Sequence, residues 1–380
     1  MKIFKKVSIS LLFILVAYIL LASIFFGISI GESEKQRQIF AEWQEGHIVE
    51  LAESYDNETA IKIDEQSICG FNIQEAITEQ IQINQLRYLC THNSYKQGLH
   101  NPAKFFYNYI IPYAIGKKSN YGYDNITQQL NIGIRGFEFD LYYAENEDEY
   151  RFECYHNSWL ETNSSVVDFE KGLEEIKMWS EYNPNHMPIF ITIEPKDNVP
   201  LDKAKGLGKV ELETLDDLIL EYFPDKVITY SQMLNGFGDF QEMREANGYI
   251  KLEDCIGKFV FLLHEYENFE EYIDIPAENR VMIPLVWASS LKENKYLDLT
   301  CFAQDHDYNH PEKLDPLIEE NYIVRTRLDI YPKYEFETTE ARLDTGAQLV
   351  CTDYPPSYEH IYKEYTRTIS ENGYTIILLN

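Results

Sequence analysis

The chain has 380 residues, 44% of them apolar and 14% aromatic, enough to bury the core of one large domain; a disulfide-stapled miniprotein and a disordered chain are both excluded. Its 63 acidic side chains against 33 basic ones leave a formal charge of -30. Such a body repels phosphate backbones, so nucleic acid is excluded as a partner, and an anionic lipid surface is reached only through a tether, a bridging cation or a local positive pocket.

Lys2, Lys5 and Lys6 precede an uncharged run from Val7 to Gly31. As a helix that run is about 37 Å long, more than a hydrocarbon core of roughly 30 Å requires. Residues 1–31 therefore read as a membrane-spanning signal anchor. The alternative, a cleaved signal peptide and a secreted body, has a shorter apolar region. Lysines before the span and acids after it place the body outside the cytoplasm. From 32 to 80 the chain is polar and suits a stalk and lead-in helix. The six cysteines (Cys69, Cys90, Cys154, Cys255, Cys301, Cys351) permit disulfides in an exported protein, although Cys90 and Cys351 sit in apolar, strand-like runs that suit buried thiols.

From Leu86 onward, short β-rich runs alternate with helical patterns. Leu86–Thr91, Gly136–Tyr142, Phe152–Tyr155, Ile189–Glu194, Phe259–Leu263, Val281–Leu285, Ile323–Leu328 and Gln348–Thr352 read as strands. Helices are expected over Val166–Tyr182, Leu212–Phe223, Pro311–Asn321 and Thr338–Thr345. This alternation predicts an α/β fold, a TIM-like (β/α) barrel over residues 81–365, preceded by the transmembrane helix and short stalk and followed by a tail from 366 to 380.

Reactive residues collect at the carboxyl ends of the runs, where barrel enzymes keep their active sites. The first run ends in Thr91-His92-Asn93-Ser94-Tyr95. In the second, Glu138 and Asp140 share one side by alternation. His156 follows the third; Glu194 ends the fourth, with Lys196 two positions on. Three carboxylates and the Asn93 amide are hard oxygen donors of the kind calcium prefers, and two histidines beside them suit general acid and base roles. Arg325 and Arg327 share a side and suit a phosphate. His186, His264, His306 and His310 have no comparable company and read as incidental.

These residues resemble the calcium-dependent phosphatidylinositol-specific phospholipases C of bacteria, relatives of the catalytic domain of the eukaryotic phosphoinositide phospholipases C. Eight ordered blocks carry the resemblance: Thr91 to Tyr95, Gln129 to Asp140, His156, Pro188 to Lys196, Phe223-Pro224, Gly257 to Leu262, Val324 to Asp329 and Gly346 to Pro355. The resemblance implies a TIM-like barrel with His92 and His156 as catalytic histidines. It implies Asn93, Glu138, Asp140 and Glu194 as calcium ligands; Lys196, Lys258, Arg325 and Arg327 are the candidate substrate contacts. The implied substrate is an inositol phospholipid or glycosyl-inositol lipid in a membrane, cleaved to diacylglycerol and a cyclic inositol phosphate. The family often has an aspartate directly after the second histidine, where Asn157 stands here. A glycerophosphodiester phosphodiesterase-like hydrolase and a non-catalytic inositol-lipid binder are the alternative readings.

Overall fold

Residues Lys2–Asp56 form one helix, α1, in a computed structural model that describes residues 2–110, 119–144, 152–198, 204–266, 268–307, 310–329, 336–356 and 366–379. No proline interrupts it, and its apolar half passes into the polar half without a break. Among the described residues one helix is long and apolar enough to cross a membrane, and this is that helix. Residues 32–56, expected as stalk and lead-in, lie along the side of the body instead of spacing it from the helix above. Gln44 is fully buried and bonds both backbone groups of Asp168, at 2.9 Å each.

Eight parallel strands close into a barrel: β1 (Leu86–Thr91), β2 (Gly136–Ala144), β4 (Ile189–Pro195), β6 (Phe259–His264), β7 (Ile283–Trp287), β8 (Phe302–Gln304), β9 (Ile323–Arg327) and β10 (Leu349–Thr352). Three short strands are antiparallel additions. β3 (Phe152–Cys154) and β5 (Ala204–Lys205) extend β2, and β11 (Ile376–Leu378) brings the carboxyl-terminal segment onto β1. The ring shuts where Cys90 of β1 meets Gly136 of β2.

The expected barrel is therefore present, with one exchange of strands. Phe152–Tyr155, read as a barrel strand, folds back on β2 as the returning arm of a hairpin. The eighth barrel strand is Phe302–Gln304, whose three residues are too few to display alternation. The helix expected over Val166–Tyr182 runs from Phe169 to Tyr182, capped by the Asp168 carboxylate on the Glu170 amide. Pro311–Asn321 divides into a 3₁₀ turn, Pro311–Leu314, and the helix Asp315–Glu319.

Alternation along the strands produces two apolar layers. Tyr88, Phe190, Val260, Leu262, Leu285 and Phe302 belong to one cluster that fills the lumen, while Phe137, Ile191, Phe261 and Val324 belong to another that packs beneath the surrounding helices. All six cysteines are free and buried, so they serve as small core residues and form no disulfide. Cys90 and Cys351 are register partners on β1 and β10.

The closure has no room for a side chain at position 136. A Cβ on Gly136 would lie 2.2 Å from Cys90 Sγ and 2.8 Å from its Cβ. Gly136→Ala is expected to cost about 1–3 kcal/mol by overpacking. Adding Cys90→Ala should recover part of that loss; chemical denaturation of the two single variants and the double variant measures the coupling.

Candidate active site

Beyond its last apolar layer the lumen turns polar. Asp140 of β2 is in register with Glu194 of β4, and Glu138 lies two residues below Asp140 on the same side. Each of the three offers a carboxylate oxygen within 4.8 Å of the other two, and they are the one such cluster among the described residues. Lys196 Nζ stands 2.7 Å from Asp140 Oδ2 and also bonds Glu194 Oε1, while Arg325 Nη2 reaches Glu138 Oε2 at 2.7 Å. Two positive charges thus face three negative ones. Burial pushes the Asp140 carboxyl up to about 6 against the pull of Lys196. Burial would raise Glu194 too, but the Lys196 ammonium outweighs it and takes that group down to about 2.

The donor set fits calcium. Asp140 is fully buried, and neither of its oxygens accepts a well-directed protein hydrogen bond. The backbone at Asn93 turns left-handed (φ 49°), a conformation asparagine tolerates, and this aims its amide N–H at Glu138 Oε2, 3.2 Å away. Asn93 Nδ2 donates to the Tyr121 hydroxyl at 2.9 Å, so Oδ1 is the atom it offers an ion. Four hard oxygens from three stretches of chain suit a cation that takes six to eight, with water or substrate completing the shell.

The two histidines have separate partners. His92 Nδ1 meets Asp353 Oδ1 at 3.0 Å and the Tyr121 hydroxyl at 2.9 Å, and its Nε2 lies 3.8 Å from Glu138. Burial first, and then the Arg327 and Arg325 guanidiniums, hold the His92 imidazole well below its ordinary pKa, so it is neutral at pH 7. Arg327 in turn bonds Asp353 Oδ2 at 2.8 Å. His156 Nδ1 pairs with Glu161 Oε2 at 3.1 Å. Glu161 also bonds Lys96 and accepts from the Tyr107 hydroxyl at 2.6 Å. Burial would raise the Glu161 carboxyl, but Lys96 and His156 hold it well below the usual carboxylate range.

Glu161 answers the question raised by Asn157. The loop closes on itself through reciprocal backbone bonds between Asn157 and Glu161, and Asn157 Oδ1 accepts from the Trp159 amide at 2.9 Å. Asn157 thus shapes the turn that returns Glu161 to the imidazole, and the acid comes from five residues beyond the histidine. Lys96 Nζ lies 4.2 Å from the centre of the Tyr121 ring, so the Tyr121–Lys96–Glu161 chain links the surroundings of the two histidines.

Of the residues singled out from sequence, His92, Asn93, Glu138, His156, Asp140, Glu194, Lys196, Arg325 and Arg327 converge on this mouth. Lys258 does not. It precedes β6, its carbonyl accepting from Ile189 at the start of β4, and so sits at the amino-terminal end of the barrel, opposite the mouth. Arg325 is 2% exposed and committed to Glu138 and Gln304, which makes it a counter-charge inside the cluster rather than a free phosphate grip.

Sequence reasoning missed Glu161, Asp353, Tyr121, Lys96, His264 and His306. His264 ends β6 and bonds Gln304 at 2.5 Å; His306 lies 3.5 Å from Arg325 Nη1; Trp287 stands edge-on to both rings. The position of His264 at the end of an apolar strand was a usable signal, since that is where Glu194 lies on its own strand. Glu161 had none, because it belongs to a loop without periodicity.

A metal-fitting acidic cluster flanked by carboxylate-backed imidazoles, at the carboxyl face of a parallel barrel, is the arrangement of a barrel phosphodiesterase. Comparison with known proteins agrees. The family model for calcium-dependent phosphoinositide phospholipase C matches residues 148–376, more than half of the chain. A solved calcium-dependent phosphoinositol-specific phospholipase C from a Gram-negative bacterium, Pseudomonas sp, is 13% identical with a TM-score of 0.58, covering 83% of this chain and 100% of that one. The calcium-dependent phosphatidylinositol-specific phospholipase C of Streptomyces antibioticus is 16% identical with a TM-score of 0.51, covering 72% and 94%. No match was found among curated protein sequences. The chain belongs to the calcium-dependent phosphoinositide phospholipase C family: it is a phosphatidylinositol-directed phosphoric diester hydrolase with calcium as its cofactor.

Glu161→Gln should lower turnover by roughly tenfold or more with little change in KM, since a misdirected general acid weakens the transition state more than substrate binding. Steady-state kinetics, with thermal unfolding to confirm a folded variant, checks this.

Proposed function

We propose that the enzyme cleaves phosphatidylinositol-type lipids by attack of the inositol 2-hydroxyl on phosphorus, releasing diacylglycerol and a cyclic inositol phosphate. The observation that carries this reading is the pair of imidazoles, each backed by its own buried carboxylate, on either side of the acidic cluster. With Nδ1 engaged by Asp353 and Tyr121, His92 Nε2 is the nitrogen left to take the hydroxyl proton, and its neutral form at pH 7 suits a base. The new O–P bond forms as the bond from phosphorus to the glycerol oxygen breaks. His156, held at Nδ1 by Glu161, delivers a proton from Nε2 to the departing oxygen. Lys196 and Arg327 contact phosphate or inositol oxygens and supply local positive charge that a body of -30 otherwise lacks. Asn93, Glu138, Asp140 and Glu194 would hold calcium, whose positive charge would acidify the hydroxyl and offset the charge gathering on phosphate.

Residues 1–31 anchor the enzyme in this reading, with the barrel outside the cytoplasm by the lysine bias. An outer-leaflet inositol lipid or glycosyl-inositol lipid is then the substrate it meets.

Phosphorus NMR of phosphatidylinositol incubated with enzyme and calcium should show a cyclic phosphodiester signal; release of glycerol phosphate from a deacylated diester instead would select a glycerophosphodiesterase. Chelation of calcium is expected to abolish the activity and its re-addition to restore it. His92→Ala and His156→Ala should each reduce kcat by roughly 10² or more, and near-normal rates in both would contradict the assignment.

A further inference from the structure

The direction in which α1 crosses the barrel follows from its partners. Phe26 stacks edge-on against Trp159 at 5.5 Å, and Ser33 bonds the Trp159 carbonyl at 2.8 Å; Trp159 belongs to the loop that carries His156 and Glu161. Arg37 then pairs with Glu153, Gln44 with Asp168, His47 with Glu175, and Tyr55 packs against Tyr182. Asp168 caps the upper end of the helix Phe169–Tyr182, which descends from the mouth to the opposite end of the barrel. So α1 descends beside it, and its apolar beginning projects past the mouth.

Phe25 stacks on Phe105 at 4.5 Å, and from Ser29 onward α1 has fully buried residues. The uncharged part of α1 ahead of Phe25, from Val7 to Ile24, is about 27 Å long at 1.5 Å per residue, close to a hydrocarbon core of roughly 30 Å. Its best apolar window is 0% buried. Where the helix leaves the barrel the rim is aromatic. Phe105, 37% exposed, packs against Tyr109, 72% exposed, and Tyr266 on the loop after β6 is 42% exposed beside Lys196. Such rings favour the boundary between hydrocarbon and water.

We infer that α1 holds the barrel mouth-down on the bilayer in which the helix itself is embedded, with Phe105 and Tyr109 at the lipid boundary, so that the enzyme hydrolyses lipids of its own anchoring leaflet and not those of a facing membrane. This rests on the reading of residues 1–31 as an anchor and of the site as a phospholipase. Ser29 and Ser33 are fully buried against the barrel, and the Thr162 hydroxyl bonds the Ser33 carbonyl at 3.0 Å, so the helix is fixed to the loop of His156 from both sides. A helix seated in this way leaves the mouth no path to a second bilayer.

The test reconstitutes the full chain in vesicles, with phosphatidylinositol either in the same vesicles or in separate ones of equal lipid concentration. The shared pool should be hydrolysed faster by roughly tenfold or more, because tethering raises the effective concentration. A chain that remains with the vesicles through an alkaline wash yet hydrolyses both pools alike overturns the orientation alone, whereas a chain that washes off overturns the anchor. A second readout needs no activity. The six native cysteines are buried, so a spin label on Tyr109→Cys is selective. It should report lipid depth, while one on Glu253→Cys, at the opposite end of the barrel, should report water. Labels in water at both positions overturn the inference even if the enzyme turns out to have another substrate.

Discussion

Three carboxylates within 4.8 Å of one another, Glu138 and Asp140 buried and Glu194 half-buried, are the constraint around which the mouth of this barrel is built. Like charges at that range repel by several kcal/mol even at an effective dielectric of about 20, so the fold tolerates them only with counter-charges in place. Lys196 and Arg325 fill that role: each is drawn into the lumen by a carboxylate rather than left at the surface. Burial first, and then the neighbouring Glu194 and Glu138, raise the Asp140 carboxyl to about 6 despite the pull of Lys196. A divalent cation bound by these carboxylates would offset their crowding.

The same economy of position governs the imidazoles. His92 follows β1 and takes its acid from the end of β10, while His156 follows β3 and takes its acid from its own loop. Each partner is buried, so each imidazole is held by a contact that solvent weakens little. Tyr121 and Lys96 lie between the two halves, one bonded to His92 and Asn93, the other to Glu161. The histidines are thus positioned by a network from four separate loops, with the acidic cluster beneath it. Within a strongly acidic body, Lys196, Arg325 and Arg327 gather at the mouth where a phosphate would enter, each paired with a carboxylate.

Much of this was legible in the chain before any fold was known. A strand places alternate side chains on one side, so the pairing of Glu138 with Asp140 and the exposure of Glu194 at a strand end follow from nearest-neighbour geometry. The regular succession of strand and helix patterns carried the barrel, and the uncharged run before Glu32 carried the apolar helix. Where reading failed, local pattern was the wrong guide. Phe152–Cys154 has the composition of a strand but not its direction, and Phe302–Gln304 is too short to have a pattern. Lys258 borders a barrel strand like the others, yet at its beginning, and only closure of the ring separates the two ends as far as function is concerned.

What the sequence determined by itself is the set of groups that chemistry requires and the elements that bear them, because hydrophobic periodicity acts over two to four residues. What only the tertiary structure decided is which charges meet. Asp353 reaches His92 across 261 positions, Arg325 reaches Glu138 across 187, and Glu161 comes back to His156 through a loop with no regular repeat. It likewise decided that the polar half of α1 lies against the barrel beside the loop of His156. Such meetings depend on loop closure and on the burial of opposite charges together, and neither leaves a periodic trace along the chain.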